Sequence, residues 1–264
     1  MTFGLIGYPL SHSFSARYFT EKFAELGLAD SHRYLNFPME DISGFCELRD
    51  MYPDLRGVNV TIPHKQAVIP LLDELDPVAA RIGAVNCIRF DDEGRTIGFN
   101  TDYIGFREDL LDHLRRAAWT ERAFGLPHSK DLLLTFLESS AALILGTGGA
   151  SLAVREALRD LGLETTYVSR TPGPNRLTYA ELTGAHLQDH LLVVNTTPLG
   201  MAPNVHTHAD LPYSSFSRAH FAYDLVYNPA ESEFLRRARE AGAATGNGMG
   251  MLARQAEAGW EIWK

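Results

Sequence analysis

Apolar residues along this chain come in two rhythms, short uninterrupted runs and runs spaced like one face of a helix. TFGLIG at the start is a run of the first kind, ended by Gly-Tyr-Pro, and predicts a strand. SARYFTEKFAELG (15–27) has helical spacing, with Gly27 placed to cap it. HRYLNF (32–37) reads as strand, MEDISGFCELRDMY (39–52) as a weaker helix, GVNVTI (57–62) as strand and KQAVIPLLDEL (65–75) as helix. AVNCIRF (84–90) and RTIGFN (95–100) flank DDEG, which reads as a hairpin turn. A helix is expected from near Tyr103 to about Ala118, and 119–140 as a short helix plus loop.

From Ala141 the alternation is cleaner. AALIL predicts a buried strand, GTGGA a glycine turn and SLAVREALRDLG a helix. Strands follow at ETTYVS, HLLVVN, HFAYDLV and AATGN. Helices are expected at LTYAEL (177–182), AESEFLRRAREAG and MLARQAEAGWEIW. Strands alternating with helices imply an α/β fold whose mostly parallel sheet is covered on both faces. The pattern restarts near 102–106, which is where a domain boundary is expected.

Composition narrows the function classes. At 264 residues the chain can bury a sizeable core, as one large domain or two small ones. Its net charge of −9 argues against nucleic acid as a partner, because phosphate backbones need a basic surface. No run approaches the length of a membrane span, and the N-terminus lacks a basic region and a long apolar run. Cys46 and Cys87 are too few for a disulfide framework or a cysteine metal site. A cytoplasmic protein is expected. His206 and His208, two apart in a loop with Pro and Asn, read as surface, so no metal is expected.

LILGTGGAS is strand, glycine turn and helix in order. Gly146 permits the tight turn, and Gly148 lets a pyrophosphate approach a helix N-terminus. Ser151 stands where the dinucleotide fingerprint usually has Gly or Ala. The next strand ends in Ser169, Arg170 and Thr171 rather than in the acid that an NAD site uses for the ribose. Arg170 lies 22 residues past Gly148, where a guanidinium suits a 2′-phosphate, and Arg176 is placed to assist. The cofactor expected is NADP(H).

Lysine occurs four times here against twenty arginines, and one lysine, Lys65, follows an apolar strand and Pro63. In this reading Val58, Val60 and Ile62 anchor one side of that strand, Thr61 faces the other, and Lys65 starts a helix. Asp102 stands where a second strand gives way to a helix, as a natural N-cap. Both lie at C-terminal strand ends, the edge where open α/β sheets bind ligands. A dehydrogenase needs a proton donor beside the hydride acceptor. Arginine does not deprotonate in proteins, whereas lysine beside a carboxylate can serve.

These segments together resemble the shikimate dehydrogenase family over nearly the whole length. GYPLSHSFS, GVNVTIPHK, GAVNC, GFNTD, LILGTGGAS, VSRT, VNTTPLGM, YDLVYNP and NGMGMLARQ come in the family's order. The resemblance implies an N-terminal α/β substrate domain (1–103), to which a C-terminal helix (246–264) returns, and a Rossmann-type NADP-binding domain (104–245), with the active site in the cleft between them. It implies reversible NADPH-dependent reduction of 3-dehydroshikimate to shikimate, a step in aromatic amino-acid biosynthesis. It further implies that Lys65 and Asp102 are the catalytic pair and that Ser11 and Ser13 bind the substrate carboxylate. Thr61, Asn86 and Gln255 would bind its hydroxyls or carbonyl, and Tyr227 would line the cleft. Gly146, Gly148, Gly149, Ala150 and Ser151 would hold the pyrophosphate. Ser169, Arg170, Thr171 and Arg176 would face the adenosine phosphate, and Gly248 would also belong to the cofactor side.

The chain departs from the family in three places. Segment 119–140 is longer than usual, Ser169 stands where Asn is frequent, and Arg176 comes six rather than about three residues after Arg170. Two rival readings remain at this point: a quinate/shikimate dehydrogenase preferring NAD, and an NADP-binding regulatory protein without turnover. The expected assembly is a monomer or a homodimer.

Overall fold

The structure is a computed structural model and describes residues 1–10, 14–127 and 129–264. The chain divides into two compact units, 1–101 with 256–264, and 102–255.

The first unit contains β1 (Thr2–Gly7), α1 (Phe14–Glu25), β2 (Arg33–Pro38), α2 (Leu48–Met51), β3 (Leu55–Val60), β4 (Glu74–Leu75), α3 (Pro77–Ile82), β5 (Cys87–Phe90) and β6 (Thr96–Phe99). They form one sheet in the order β2-β1-β3-β5-β6-β4. β1 runs parallel to β2 and β3, whereas β5 is antiparallel to both β3 and β6. The sheet is therefore mixed. Alternation along each strand sends Ile6, Val58, Val60 and Ile88 to one face and Phe3 and Leu5 to the other. The second face is closed by Phe19 and Phe23 of α1 and by Trp260 and Trp263 near the chain's end. The Trp263 indole N–H donates to the Ile88 carbonyl at 3.0 Å.

Three sequence expectations for this unit fail. Segment 39–52 forms a 3-10 turn, Ile42–Glu47, and a single α-turn rather than one helix. Asp41 caps it by accepting from the Ser43 N–H at 3.0 Å, which favours the tight turn. No helix starts at Lys65, because Pro70 denies a continuing helix its N–H; a 3-10 turn at Ile69–Leu71 leads into β4 instead. Ile62 does not anchor the core either: β3 ends at Val60 and Ile62 is 67% exposed.

The second unit begins within α4 (Thr101–Arg116) and holds α5 (Trp119–Phe124), α6 (Lys130–Glu138), β7 (Ala141–Leu145), α7 (Gly149–Asp160), β8 (Glu164–Ser169), β9 (Arg176–Thr178), α8 (Gly184–Asp189), β10 (Leu192–Asn195), β11 (Phe221–Asp224), α9 (Glu233–Glu240), β12 (Ala244–Asn247) and the start of α10 (Met249–Trp263). Its sheet, β12-β11-β10-β7-β8-β9, is parallel throughout. Chain order reverses at β7, between β10 and β8, which is the topological switch point of a doubly wound sheet. Ala142, Ile144, Val194 and Tyr223 face a core shared with Phe106 and Leu110 of α4. Leu143, Leu145, Val193 and Ala222 face the opposite core with Phe234 and Leu187.

Segment 119–140 is two helices rather than a short helix plus loop. Trp119 is fully buried, its N–H donates to the Ala219 carbonyl at 2.9 Å, and Leu133 and Leu137 complete the packing. The helix expected at 177–182 is also absent. There Glu181 folds back to accept from the Thr178 N–H and hydroxyl at 2.7 and 2.8 Å, holding a turn after β9.

Candidate active site

In the first unit the C-terminal ends of β1 and β3 meet the start of β5. Thr61 donates its N–H to the Ile6 carbonyl at 2.8 Å, and the Asn86 carbonyl accepts from Val60 at 2.9 Å. Lys65 is half-buried in the turn that follows, and its carbonyl accepts from the Val85 N–H at 2.7 Å. Thr61, Lys65 and Asn86 are thus held on one strand edge by backbone bonds. His64, which sequence reading passed over, fixes the same turn. It is 3% exposed and its Nε2–H donates to the Met39 carbonyl at 2.6 Å, so its tautomer is set.

Asn86 is buried, and its amide is bound to Thr101. Its Oδ1 accepts from the Thr101 N–H at 2.6 Å and its Nδ2 donates to the Thr101 hydroxyl at 3.0 Å. Asn100 donates to the Ala84 carbonyl at 2.8 Å. The strand-to-helix crossing after β6 is therefore pinned at two successive residues. Ser11 and Ser13 lie outside the described residues.

In the second unit Asp102 lies in the first turn of α4, inside the helix rather than at its N-cap. A carboxylate there is favoured by the positive end of the helix dipole. Tyr103 beside it donates to Asp160 at 2.6 Å, tying this turn to the end of α7; burial and Asp160 push the phenol up to about 12. Gln255 is 7% exposed and donates to the Leu252 carbonyl at 2.9 Å. A Cβ on Gly105 would meet the Gln255 N–H nitrogen at 3.1 Å, so α4 and α10 pack closely there. Lys65 belongs to the first unit, Asp102 and Gln255 to the second.

The cofactor candidates other than Arg176 gather on the C-terminal edge of the parallel sheet. Gly146 has φ +101°, and a Cβ on it would meet Thr197 Cγ2 at 2.9 Å and Thr196 Oγ1 at 3.0 Å, so only glycine fits the turn. Its N–H donates to the Val168 carbonyl at 2.8 Å, which brings the turn beside Ser169. A Cβ on Gly148 would meet nothing within 4 Å, leaving an open approach to the helix start. Gly149, Ala150 and Ser151 form the first turn of α7; the Ser151 N–H donates to the Gly148 carbonyl at 3.0 Å, and those of Gly149 and Ala150 precede any acceptor within the helix. Ser151 is fully buried and its hydroxyl donates to the Gly148 carbonyl at 2.7 Å, so its side chain closes the turn and faces inward.

Beyond β8, Ser169 is buried and accepts from the Thr171 N–H at 3.3 Å, while Arg170 and Thr171 are exposed. Arg176, half-buried, crosses Gly173, where a Cβ would meet its Nε at 2.7 Å. Arg170 thus follows the end of β8, which carries no acid, whereas Arg176 opens β9 beside Tyr167. Tyr227, half-buried, follows β11, and Gly248 packs so tightly on Leu225 that a Cβ would lie 2.3 Å from its carbonyl oxygen. The donor set fits a dinucleotide phosphate: a glycine turn at a switch point, an open helix N-terminus and two guanidinium groups in place of an acid.

Sequence reading also missed a buried polar group behind this edge. Asp224 ends β11 with no exposure and accepts from the Asn195 amide at 2.8 Å and the Val226 N–H at 3.0 Å, and from the Ser232 hydroxyl. Burial pushes its carboxyl up to about 6, against the opposing pull of Ser232, Val226 and Asn195. An acid closing the apolar run HFAYD was the available signal.

The pattern describing the shikimate dehydrogenase substrate binding domain matches residues 5–88. The shikimate dehydrogenase (NADP(+)) of Oleidesulfovibrio alaskensis is 38% identical over 99% of this chain and 89% of its own length. This chain belongs to the shikimate dehydrogenase family. A solved family member, the shikimate 5-dehydrogenase of Thermus thermophilus in complex with NADP(H) and shikimate, aligns with TM-score 0.79 and 32% identity over 100% of this chain and 93% of that one. A ligand-free 5-ketofructose reductase of a Gluconobacter strain also aligns, with TM-score 0.77 and 25% identity over 100% and 92%. The fold is thus shared with a reductase of a different name, so fold alone does not fix the substrate. Among the described residues no helix is long and apolar enough to cross a membrane.

Proposed function

We propose that this protein is an NADP-dependent shikimate dehydrogenase that reversibly reduces 3-dehydroshikimate to shikimate. The observation that carries the reading is the near full-length match to proteins named shikimate dehydrogenase (NADP(+)), in a chain that keeps Lys65, Asp102 and the glycine turn. When bound, NADPH supplies the hydride. Lys65 bonds the oxygen of the reacting carbonyl and gives it a proton as negative charge develops there. Asp102 bonds a hydroxyl of the ring, which fixes its orientation.

Ser11 and Ser13 receive the carboxylate through hydroxyl donors, and Thr61, Asn86 and Gln255 receive hydroxyls. Gly146, Gly148, Gly149, Ala150 and Ser151 form the turn that holds the pyrophosphate, with the N–H groups of Gly149 and Ala150 facing it, because those of Gly146 and Ser151 donate to Val168 and Gly148. Arg170 takes the 2′-phosphate with Ser169, Thr171 and Arg176 beside it, Gly248 lies on the cofactor side, and Tyr227 borders the substrate. In this reading 1–103 with the C-terminal helix is the substrate domain and 104–245 the NADP domain. The protein works in the cytoplasm as a monomer or homodimer.

The test is the absorbance of reduced nicotinamide with shikimate or quinate and NADP⁺ or NAD⁺. Turnover of shikimate with NADP⁺ as the best pair supports the reading. Preference for quinate with NAD⁺, or NADP⁺ binding without turnover, would replace it by one of its rivals.

A further inference from the structure

The loops that follow β7, β10 and β11 meet behind the candidate cofactor edge, and one buried carboxylate connects them. Asp224 is acceptor-only when ionised, which dictates how its partners turn. The Asn195 amide must present Nδ2 to it, at 2.8 Å. Asn195 Oδ1 is then directed at Thr197, and accepts from its N–H at 3.1 Å and its hydroxyl at 2.7 Å. The Thr197 hydroxyl oxygen in turn accepts from the Leu199 N–H at 3.3 Å. Thr196 and Thr197 are the groups that a Cβ on Gly146 would strike, and the Thr196 hydroxyl donates to the Leu145 carbonyl at 2.6 Å. The relay therefore ends against the glycine turn.

On its other side Asp224 receives the Val226 N–H, one residue before Tyr227, and the hydroxyl of Ser232. Ser232 caps α9, accepting from the Leu235 N–H at 3.4 Å. Every donor to Asp224 is a neutral group, and Asp224, Asn195 and Ser232 are each 1% exposed or less. Burial of an ion without a cation is costly, so the position carries a charge that packing alone does not call for.

We propose that Asp224 is a positioning residue for NADP(H). By fixing the Asn195 amide and the Ser232 cap, it holds the glycine turn, the 196–199 loop and the 225–231 loop in the arrangement that receives the nucleotide. This rests on the NADP reading above. Asp224 does not touch the reacting atoms, so its loss acts on cofactor affinity ahead of substrate affinity. Asn is the conservative replacement. Its Oδ1 accepts from Asn195 and Val226, and its Nδ2 donates to a Ser232 hydroxyl rotated to receive it.

The experiment compares the full-length wild type with Asp224→Ala, Asp224→Asn and Asn195→Ala. It measures the Kd of NADP⁺ by calorimetry, kcat and the KM of shikimate at saturating NADP⁺, and the thermal midpoint. Asp224→Ala is expected to weaken NADP⁺ by about tenfold or more, the equivalent of one or two lost hydrogen bonds, with the KM of shikimate within about twofold. Asp224→Asn restores affinity to within about threefold of wild type. Asn195→Ala weakens NADP⁺ in the same way, and combining it with Asp224→Ala adds little more. A cooperatively folded Asp224→Ala with wild-type NADP⁺ affinity overturns the proposal, as does an equal rise in shikimate KM and NADP⁺ Kd. If Asp224→Ala does not fold, Asn195→Ala and Ser232→Ala decide between the same two outcomes by the same readouts. A wild type that does not bind NADP⁺ overturns the functional reading itself; binding by the wild type with unchanged variants overturns this proposal alone.

Discussion

The two sheets differ in how they are connected, and their candidate sites differ accordingly. The second unit is parallel throughout, so each strand must be followed by a crossover, and its candidate cofactor groups other than Arg176 stand on one edge, at the ends of β7, β8 and β12. The first unit is mixed. β5 and β6 form a hairpin, and Thr61, Lys65 and Asn86 sit in or beside irregular turns held by backbone bonds and by the buried His64. The candidate cofactor groups of the parallel unit are mostly backbone at helix and strand termini, whereas the candidate substrate groups of the mixed unit are individual side chains. Mutations should therefore divide by site: changes in turnover or substrate from Thr61, Lys65 and Asn86 of the first unit and from Asp102 and Gln255 of the second, changes in cofactor affinity from the glycine turn and Arg170.

The largest effect is expected at Lys65. Lys65→Met should lower kcat by about 10²–10⁴-fold, the usual range for loss of a general acid, with the KM of shikimate and the Kd of NADP⁺ nearly unchanged. Steady-state kinetics with circular dichroism checks this. Gly146→Ala should act on the other side of the comparison. Strain at positive φ and the clash with Thr196 and Thr197 cost about 1–3 kcal/mol. That weakens NADP⁺ by roughly tenfold or more in calorimetry without raising the KM of shikimate. Arg170→Ser should weaken NADP⁺ by about tenfold, in line with a lost charged hydrogen bond, and leave NAD⁺ unaffected. A fall for both nucleotides would place Arg170 away from the 2′-phosphate.

The smallest effect separates the units by stability alone. Asp224 has a folded-state pKa of about 6, raised by burial above 3.8, so ionising it costs up to about 3 kcal/mol. Its contribution is most favourable below the unfolded value and is lost as pH rises from about 4 to about 6. Asp224→Asn has no such loss. Relative to wild type, its thermal midpoint should rise by up to about 10 °C between pH 4 and pH 7, at roughly 2–4 °C per kcal/mol. A constant difference across that range would contradict the assigned burial cost.

The same contrast explains what the sequence disclosed. Crossover helices such as α7 and α9 bury one face, so their periodicity was readable, and the glycine turn between β7 and α7 stood out because φ +101° admits little else. Helices predicted at 39–52, 65–75 and 177–182 failed where a local side-chain cap or a proline wins over apolar spacing, through Asp41, Pro70 and Glu181. Ile62 was misassigned because alternation was carried two residues past the end of β3. Lys65 was conspicuous as a rare lysine at a strand end. His64, Asn195 and Asp224 were not, because their roles depend on partners 25 to 29 residues away that no local pattern encodes.

The functional reading stands or falls on whether this chain interconverts shikimate and 3-dehydroshikimate using NADP(H). The decisive quantity is kcat/KM for shikimate with NADP⁺, set beside quinate and NAD⁺, on wild type and Lys65→Met. Shikimate with NADP⁺ should be the preferred pair, and its turnover should be almost entirely lost in Lys65→Met. Preference for quinate with NAD⁺, or full activity without the lysine, would be the opposite result and would rule the reading out.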